Sequence, residues 1–236
     1  MIITSQLSLG LRGIMDTIMK RYYKQSNLLA VLFVTLTFTI AACSSTGMQR
    51  SEDLQSSLET VDNDIKLIVV QIDAIGASLD QLTRQGQSNV KNAFEVYSEN
   101  VSEIEDMEED FSKHANKMTS DGEKYFDSWD ENGDTYDNVE LQRSSNERRA
   151  ELGRTYDKIG QNSQGVKEAF KVYVRDVTEI EEYLSNDLTT LGIESIESLT
   201  NQTVRNGTQL KRELENLQSA IEAARSEMRQ SGISAN

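Results

Sequence analysis

Between Leu54 and Leu82 the apolar side chains fall at Leu54, Leu58, Val61, Ile65, Ile68, Ile72, Ile75, Leu79 and Leu82, spaced by four and three residues in strict alternation. That spacing puts every one of them on one face of an α-helix and is the a/d seam of a coiled coil. A half-buried strand would need a period of two. The segment Lys66-Leu67-Ile68-Val69-Val70 is β-branched enough to favour a strand by local propensity. The seam runs through it unbroken, and its extra apolar residues predict a helix buried among several others. Gly86 ends the run.

Three more seams follow. The second reads Val90, Phe94, Tyr97, Val101, Ile104, Phe111, Ala115, Met118, Tyr125 and Trp129, with Glu108 and Gly122 in the interrupted places. It predicts a helix from about Ser88 to Asp130. Asp130-Glu131-Asn132-Gly133-Asp134 then reads as a turn. The third seam runs Leu141, Leu152, Tyr156, Ile159, Val166, Phe170, Tyr173, Val177, Ile180, Leu184 and Leu191, as one helix or as two joined by a kink near Gly160 and Gly165. Leu191-Gly192 marks its end. The last seam is Ile193, Ile196, Leu210, Leu214, Leu217, Ile221, Ala224 and Met228, softened by Thr200, Thr203 and Gly207. The chain has no proline, so the main breaker of long helices is absent. The expected fold is all-α, an elongated antiparallel coiled-coil-like bundle of about four long helices spanning residues 53–229, with a frayed tail at 230–236.

The sequence also repeats itself. Ten of sixteen positions from Val90 to Glu105 recur from Val166 to Glu181, including Lys91/Lys167 and Glu105/Glu181. Two equivalent docking faces, a duplicated helical hairpin, and two amphipathic helices obeying one core rule all fit this echo.

An address precedes the helices. Lys20, Arg21 and Lys24 are followed by an uncharged apolar run from Leu28 to Ile40, then Ala41, Ala42 and Cys43. A cationic flank, a short apolar core and small residues at a cut site form a secretory signal. A spanning helix needs about 20 apolar residues, more than this run offers. Ile40-Ala41-Ala42-Cys43 resembles the lipobox of bacterial lipoproteins, with Ile40 where leucine is commonest. The resemblance implies that the Cys43 thiol takes a diacylglycerol, that residues 1–42 are removed, and that residues 43–52 form a short tether. Ser44, rather than aspartate, follows the cysteine. This implies the outer membrane of a Gram-negative cell, its inner leaflet facing the periplasm.

The leader carries four of the 24 basic residues and one of the 39 acidic ones, so residues 43–236 bear a net charge of −18. Such a surface excludes nucleic acid as a partner, because nucleic-acid binders need basic patches. The helical part resembles a family of uncharacterised helical bacterial lipoproteins, known only as a domain of unknown function. The resemblance lies in Tyr125-Phe126-x-x-Trp129, Leu141-x-x-Ser144, Leu152-x-x-x-Tyr156, Leu191 and Ile196-x-Ser198-Leu199, and covers most of residues 50–230. It implies no activity.

Chemistry-bearing residues are sparse. His114 is the only histidine, and neither a second histidine nor a second cysteine exists to complete a zinc site. Asp130 to Asp134 has the look of a calcium loop, but the sixth and twelfth places hold Thr135 and Leu141 instead of glycine and glutamate. The acids from Glu103 to Asp110 read as a solvated helix face. Tyr125, Phe126 and Trp129 read as a cap on the core rather than a stacking patch. The sequence therefore predicts no enzyme, no cofactor and no metal. It predicts a membrane contact through covalent lipid, an envelope protein as partner, and a spacer, scaffold or adaptor role. The alternative is a periplasmic binding or chaperone-like lipoprotein with a hydrophobic pocket in the bundle, for which Gly122, Gly160, Gly165 and Gly207 are the candidate gaps.

Overall fold

In a computed structural model the described residues are 47–84, 86, 88–133 and 136–231. Residues 1–42, read above as a signal peptide, the Ile40–Cys43 stretch and the tail beyond residue 231 lie outside them. The described chain forms α1 (Gly47–Thr83), α2 (Val90–Gly133), α3 (Val139–Asn186), the short α4 (Thr190–Ser195) and α5 (Glu197–Ser231). The fold is an all-α bundle, and no described residue is in a strand. At 1.5 Å per residue the 48 residues of α3 span about 72 Å.

Each long helix has two neighbours. α1 packs on α2, α2 on α3, α3 on α5, and α5 back on α1. The diagonal pairs α1/α3 and α2/α5 make no close backbone approach. Backbones come closest along α1/α2 and α3/α5, whereas α2/α3 and α1/α5 are held further apart.

The α1 seam is buried at all nine positions, from Leu54 to Leu82. From Ala93 through Met118 on α2, from Leu152 through Leu184 on α3 and from Leu210 through Met228 on α5, the seams meet in one continuous core. Burying a large aliphatic side chain contributes about 1.5–3 kcal/mol, so this core dominates the folding energy.

The helix ends differ from the sequence reading in several places. α1 is helical from Gly47, within the segment read as a tether. α2 continues through Asp130–Gly133, where a turn was expected. α3 runs unbroken through Gly160 and Gly165, the first of the two forms expected, but it ends at Asn186 rather than at Leu191. Two side-chain caps set the new boundaries. The Asn138 side-chain oxygen accepts from the backbone N–H of Glu140 and Leu141 and starts α3. Thr189 Oγ1 accepts from the Gly192 N–H at 3.1 Å and starts α4. A Cβ on Gly192 would lie 2.1 Å from the Asp187 carbonyl oxygen, so this tight corner admits only glycine.

Two residues assigned to the third seam leave it. Leu141 is 58% exposed and Leu191 is 76% exposed. Leu141 belongs to the first turn of α3, ahead of the buried stretch. Leu191 sits on α4, whose separate axis turns it outward. Near the start of α2 the fully buried residue is Ala93, and Phe94 is half-buried. The surplus apolar residues of α1 also fall outside the core. Val69 is half-buried, while Leu67 and Val70 face solvent.

A groove between helices two and three

The two copies of the sequence echo lie on adjacent antiparallel helices and bond to each other. The buried Tyr97 hydroxyl on α2 donates to the Val177 carbonyl on α3 at 2.9 Å. Ser98 donates to Glu181, and Thr178 donates to Glu105 at 3.1 Å. Lys167 donates to Asn116 at 2.6 Å. Glu105 and Glu181 therefore serve the α2/α3 interface, each accepting from the other copy's helix. Burial raises the pKa of Tyr97 and also of Glu108, although Lys171 opposes the shift at Glu108.

Towards the C-terminal end of α2 this interface opens. Tyr125, Phe126 and Trp129 are half-buried against the core, as expected for a cap. Tyr125 meets Phe126 and Trp129 edge-on, at centroid distances of 5.3 and 5.7 Å. Phe126 contacts Tyr156 of α3 at 5.5 Å. The Trp129 Nε1–H donates to Ser145 Oγ at 2.9 Å, and the Arg148 guanidinium lies 5.6 Å from the Trp129 ring centroid.

Beside this cluster runs an open groove of about 940 Å³. Phe126 and Tyr156 supply its aromatic lining, Arg149 and Arg154 its cations, and Glu123, Asp127 and Asp157 its acids. Gly153 and Gly160, one heptad apart on α3, keep it wide, because a Cβ on either would meet nothing within 4 Å. Arg149 pairs with Asp130, which ties the α2 end to α3.

The four glycines read as gaps behave differently. Gly160 opens onto the groove. Gly122 is covered by the Tyr156 ring, whose hydroxyl donates to the Met118 carbonyl. Gly207 is approached by Tyr173 and Ile72, leaving a cavity of only about 110 Å³. Gly165 faces Glu213. The groove is thus polar-rimmed and lies on the flank of the bundle.

His114 is half-buried, with Nδ1 2.7 Å from Asp64 Oδ2 of α1, rather than free on a charged surface. Burial raises the Asp64 pKa, His114 pulls it down, and nearby Asp110 pushes it up again. Asp176, absent from the seams, is buried between α3 and α5, where Arg175 and Asn206 donate to its carboxylate at 2.9 and 2.5 Å. Only its position beside Val177, one step off the seam, could have hinted at this. Among the described residues no group of three or more His, Cys, Asp or Glu is placed to hold a metal ion. Among them, too, no helix is long and apolar enough to cross a membrane.

No family model matches the chain. Searches of curated proteins and of solved structures likewise find no match.

Proposed function

We propose that this chain is a lipid-anchored cell-envelope protein whose bundle serves as a spacer, scaffold or adaptor, without chemistry of its own. The observation that carries the reading is the order of residues before the bundle: cationic cluster, apolar run, Ile40-Ala41-Ala42, then Cys43. Only three residues separate Cys43 from the first turn of α1. A free exported thiol has no internal disulfide partner here, whereas an acylated one has a purpose. More than one acyl chain gives stable anchoring where a single chain does not. Ser44 directs the anchored chain to the periplasmic face of the outer membrane. The similarity to uncharacterised helical lipoproteins belongs to the same reading. Metabolic labelling with a fatty acid tests it. Wild type should take up label and Cys43→Ala should not; equal labelling of the two overturns the anchor.

A second reading, a binding lipoprotein, is favoured by the groove beside Phe126 and Tyr156. It would take a ligand with a flat apolar face and polar edges, rather than a purely apolar one. Gly153 and Gly160 are where that reading can be probed, by filling the space.

A further inference from the structure

Tyr136, Val139 and Leu141 lie within six residues at the corner where the chain enters α3, and all three are exposed, Val139 at 82%. Among the described residues no other stretch of that length exposes three large apolar side chains. Singly exposed apolar residues need no explanation, whereas a group of them does.

The corner overhangs the start of α1. Asp64 of α1 meets His114 of α2. Seventeen residues back along α1 is Gly47, and seventeen residues on along the antiparallel α2 is Glu131. Burial raises the Tyr125 pKa, and the charges of Arg148 and Arg50 oppose the rise, which agrees in placing the start of α1 beside the end of α2. Asp130 pairs in turn with Arg149 of α3. Gly47 is therefore roughly level with Arg149, and Val139 lies ten residues further out, about 15 Å along the axis. Three residues separate Cys43 from Gly47. Fully extended, that length of chain reaches at most about 14 Å. A lipid on Cys43 would thus hold the bundle no further from the headgroups than the corner projects.

Charge does not draw the corner to a membrane. Residues 130–149 hold six acids and three arginines, a net −3. The contact that the corner offers is apolar, and it suits a zwitterionic lipid surface rather than an anionic one.

We propose that Tyr136, Val139 and Leu141 seat in the headgroup layer of the membrane that carries the acylated Cys43, so that the bundle stands on a covalent anchor and a second, apolar foot. Apolar side chains at such a surface enter about 5–10 Å, to the boundary of the acyl chains, and tyrosine is at home at headgroup level. Three side chains suffice because the anchor makes the contact intramolecular and supplies a high effective concentration of lipid. A chain held by Cys43 alone could swing about its tether, whereas the foot gives the bundle a fixed direction.

This inference deepens the anchor reading and rests on it. The test uses the full chain, processed in cells, purified and inserted into phosphatidylcholine vesicles. Cys43 is the only cysteine, so once it is acylated an introduced cysteine alone takes a thiol-reactive fluorophore. The label goes on Asp137→Cys, which keeps all three apolar side chains, and in a second preparation on Leu191→Cys at the opposite end of α3. A lipid with a nitroxide high on its acyl chain should quench the label at 137 and leave the label at 191 bright. Val139→Asp with Leu141→Asp should abolish the quenching at 137 without moving the thermal unfolding midpoint, since neither side chain is buried. Phosphatidylglycerol mixed into the vesicles should weaken the quenching, and a gain would overturn the apolar account of the contact. Flotation with the vesicles reads the anchor separately. A chain that does not float overturns the anchor and the foot with it. A floating chain whose label at 137 stays bright, or is quenched equally at 191 or in the double aspartate variant, overturns the foot and leaves the anchor. Shielding of the label from iodide without quenching by the lipid places a second copy on the corner and likewise overturns the foot.

Discussion

The two interfaces of α2 are built on the same helix and differ in what fills them. Towards α1 it meets a gap-free aliphatic seam, and the backbones run close together. Towards α3 it presents Tyr97 and Phe111 to a helix carrying Phe170 and Tyr156, and the two backbones stand further apart. The wide interface recovers contact by pairing large with small, as with Tyr156 over Gly122, and by cross-helix hydrogen bonds such as Tyr97 to Val177. Where the pairing gives out, at Gly153 and Gly160, the groove opens. Regular aliphatic spacing gives a uniform seam, whereas aromatic packing depends on the shape of each neighbour.

The sharpest disruption is a charge in the buried α1 seam, at Ile72, which packs beside Gly207 of α5 and Tyr173 of α3. Ile72→Asp should destabilise by roughly 3–5 kcal/mol, since it buries an unpaired carboxylate. Leu67→Asp, on the opposite side of the same helix, should stay within about 0.5 kcal/mol. Urea unfolding of both variants measures the difference, and equal losses would refute the assignment of inner and outer faces.

The wide interface should fail by overpacking. A Cβ at Gly122 would lie 2.0 Å from the Tyr156 ring. Gly122→Ala should therefore cost about 1–3 kcal/mol, and Tyr156→Ala in the same chain should recover part of it. Purely additive losses in the double-mutant cycle would show that the two positions do not meet.

The acid response should separate the carboxylates by environment. Burial raises the pKa of Asp121, but hydrogen bonds and charge from Lys117 and Lys124 outweigh it and hold the group below its usual value. Asp62 is lowered in the same manner, with burial opposed by Lys66 and Gln218. A depressed carboxylate stabilises the fold above its unfolded pKa, and that contribution is lost as pH falls through the folded value. Asp64 and Glu108 are raised and act oppositely, gaining relative stability as pH falls towards their unfolded values. Unfolding midpoints below pH 4 should drop, and Asp121→Asn should make the drop shallower. An unchanged slope would show that Asp121 gains nothing from its two lysines.

The smallest effects should be gains. Gly160→Ala should stabilise by about 0.5–1 kcal/mol, because the new methyl meets open space and glycine is costly in a helix interior. It should also narrow the groove. Ser163 is buried and its hydroxyl has no hydrogen-bond partner among the described residues, so Ser163→Ala should be neutral or stabilising by about 1 kcal/mol. Destabilisation by either would place an unseen neighbour there.

Most of the fold was legible in the residues. Eight alternating steps of four and three from Leu54 to Leu82 specify a helix and its buried face, because burial follows periodicity whatever the partner. The absence of proline and the spacing of the later seams gave the remaining long helices. Helix ends were less legible, since caps such as Asn138 and Thr189 are single side chains inside otherwise helical patterns. The candidate groove was visible only as Gly160 and the Tyr125–Trp129 cluster.

What the sequence alone determined is which residues are helical and which face each long helix turns inward, together with the residue order around Cys43. Tertiary structure decided which helices are neighbours, and so which glycine is filled and which is open. Gly122 and Gly160 read alike along the chain, and only the placement of Tyr156 against one of them tells them apart. Tertiary structure also decided that Leu67 and Val70 stay outside. A local run of apolar residues records that a helix can be buried on a second side, but only the packing of the other helices determines whether anything covers it.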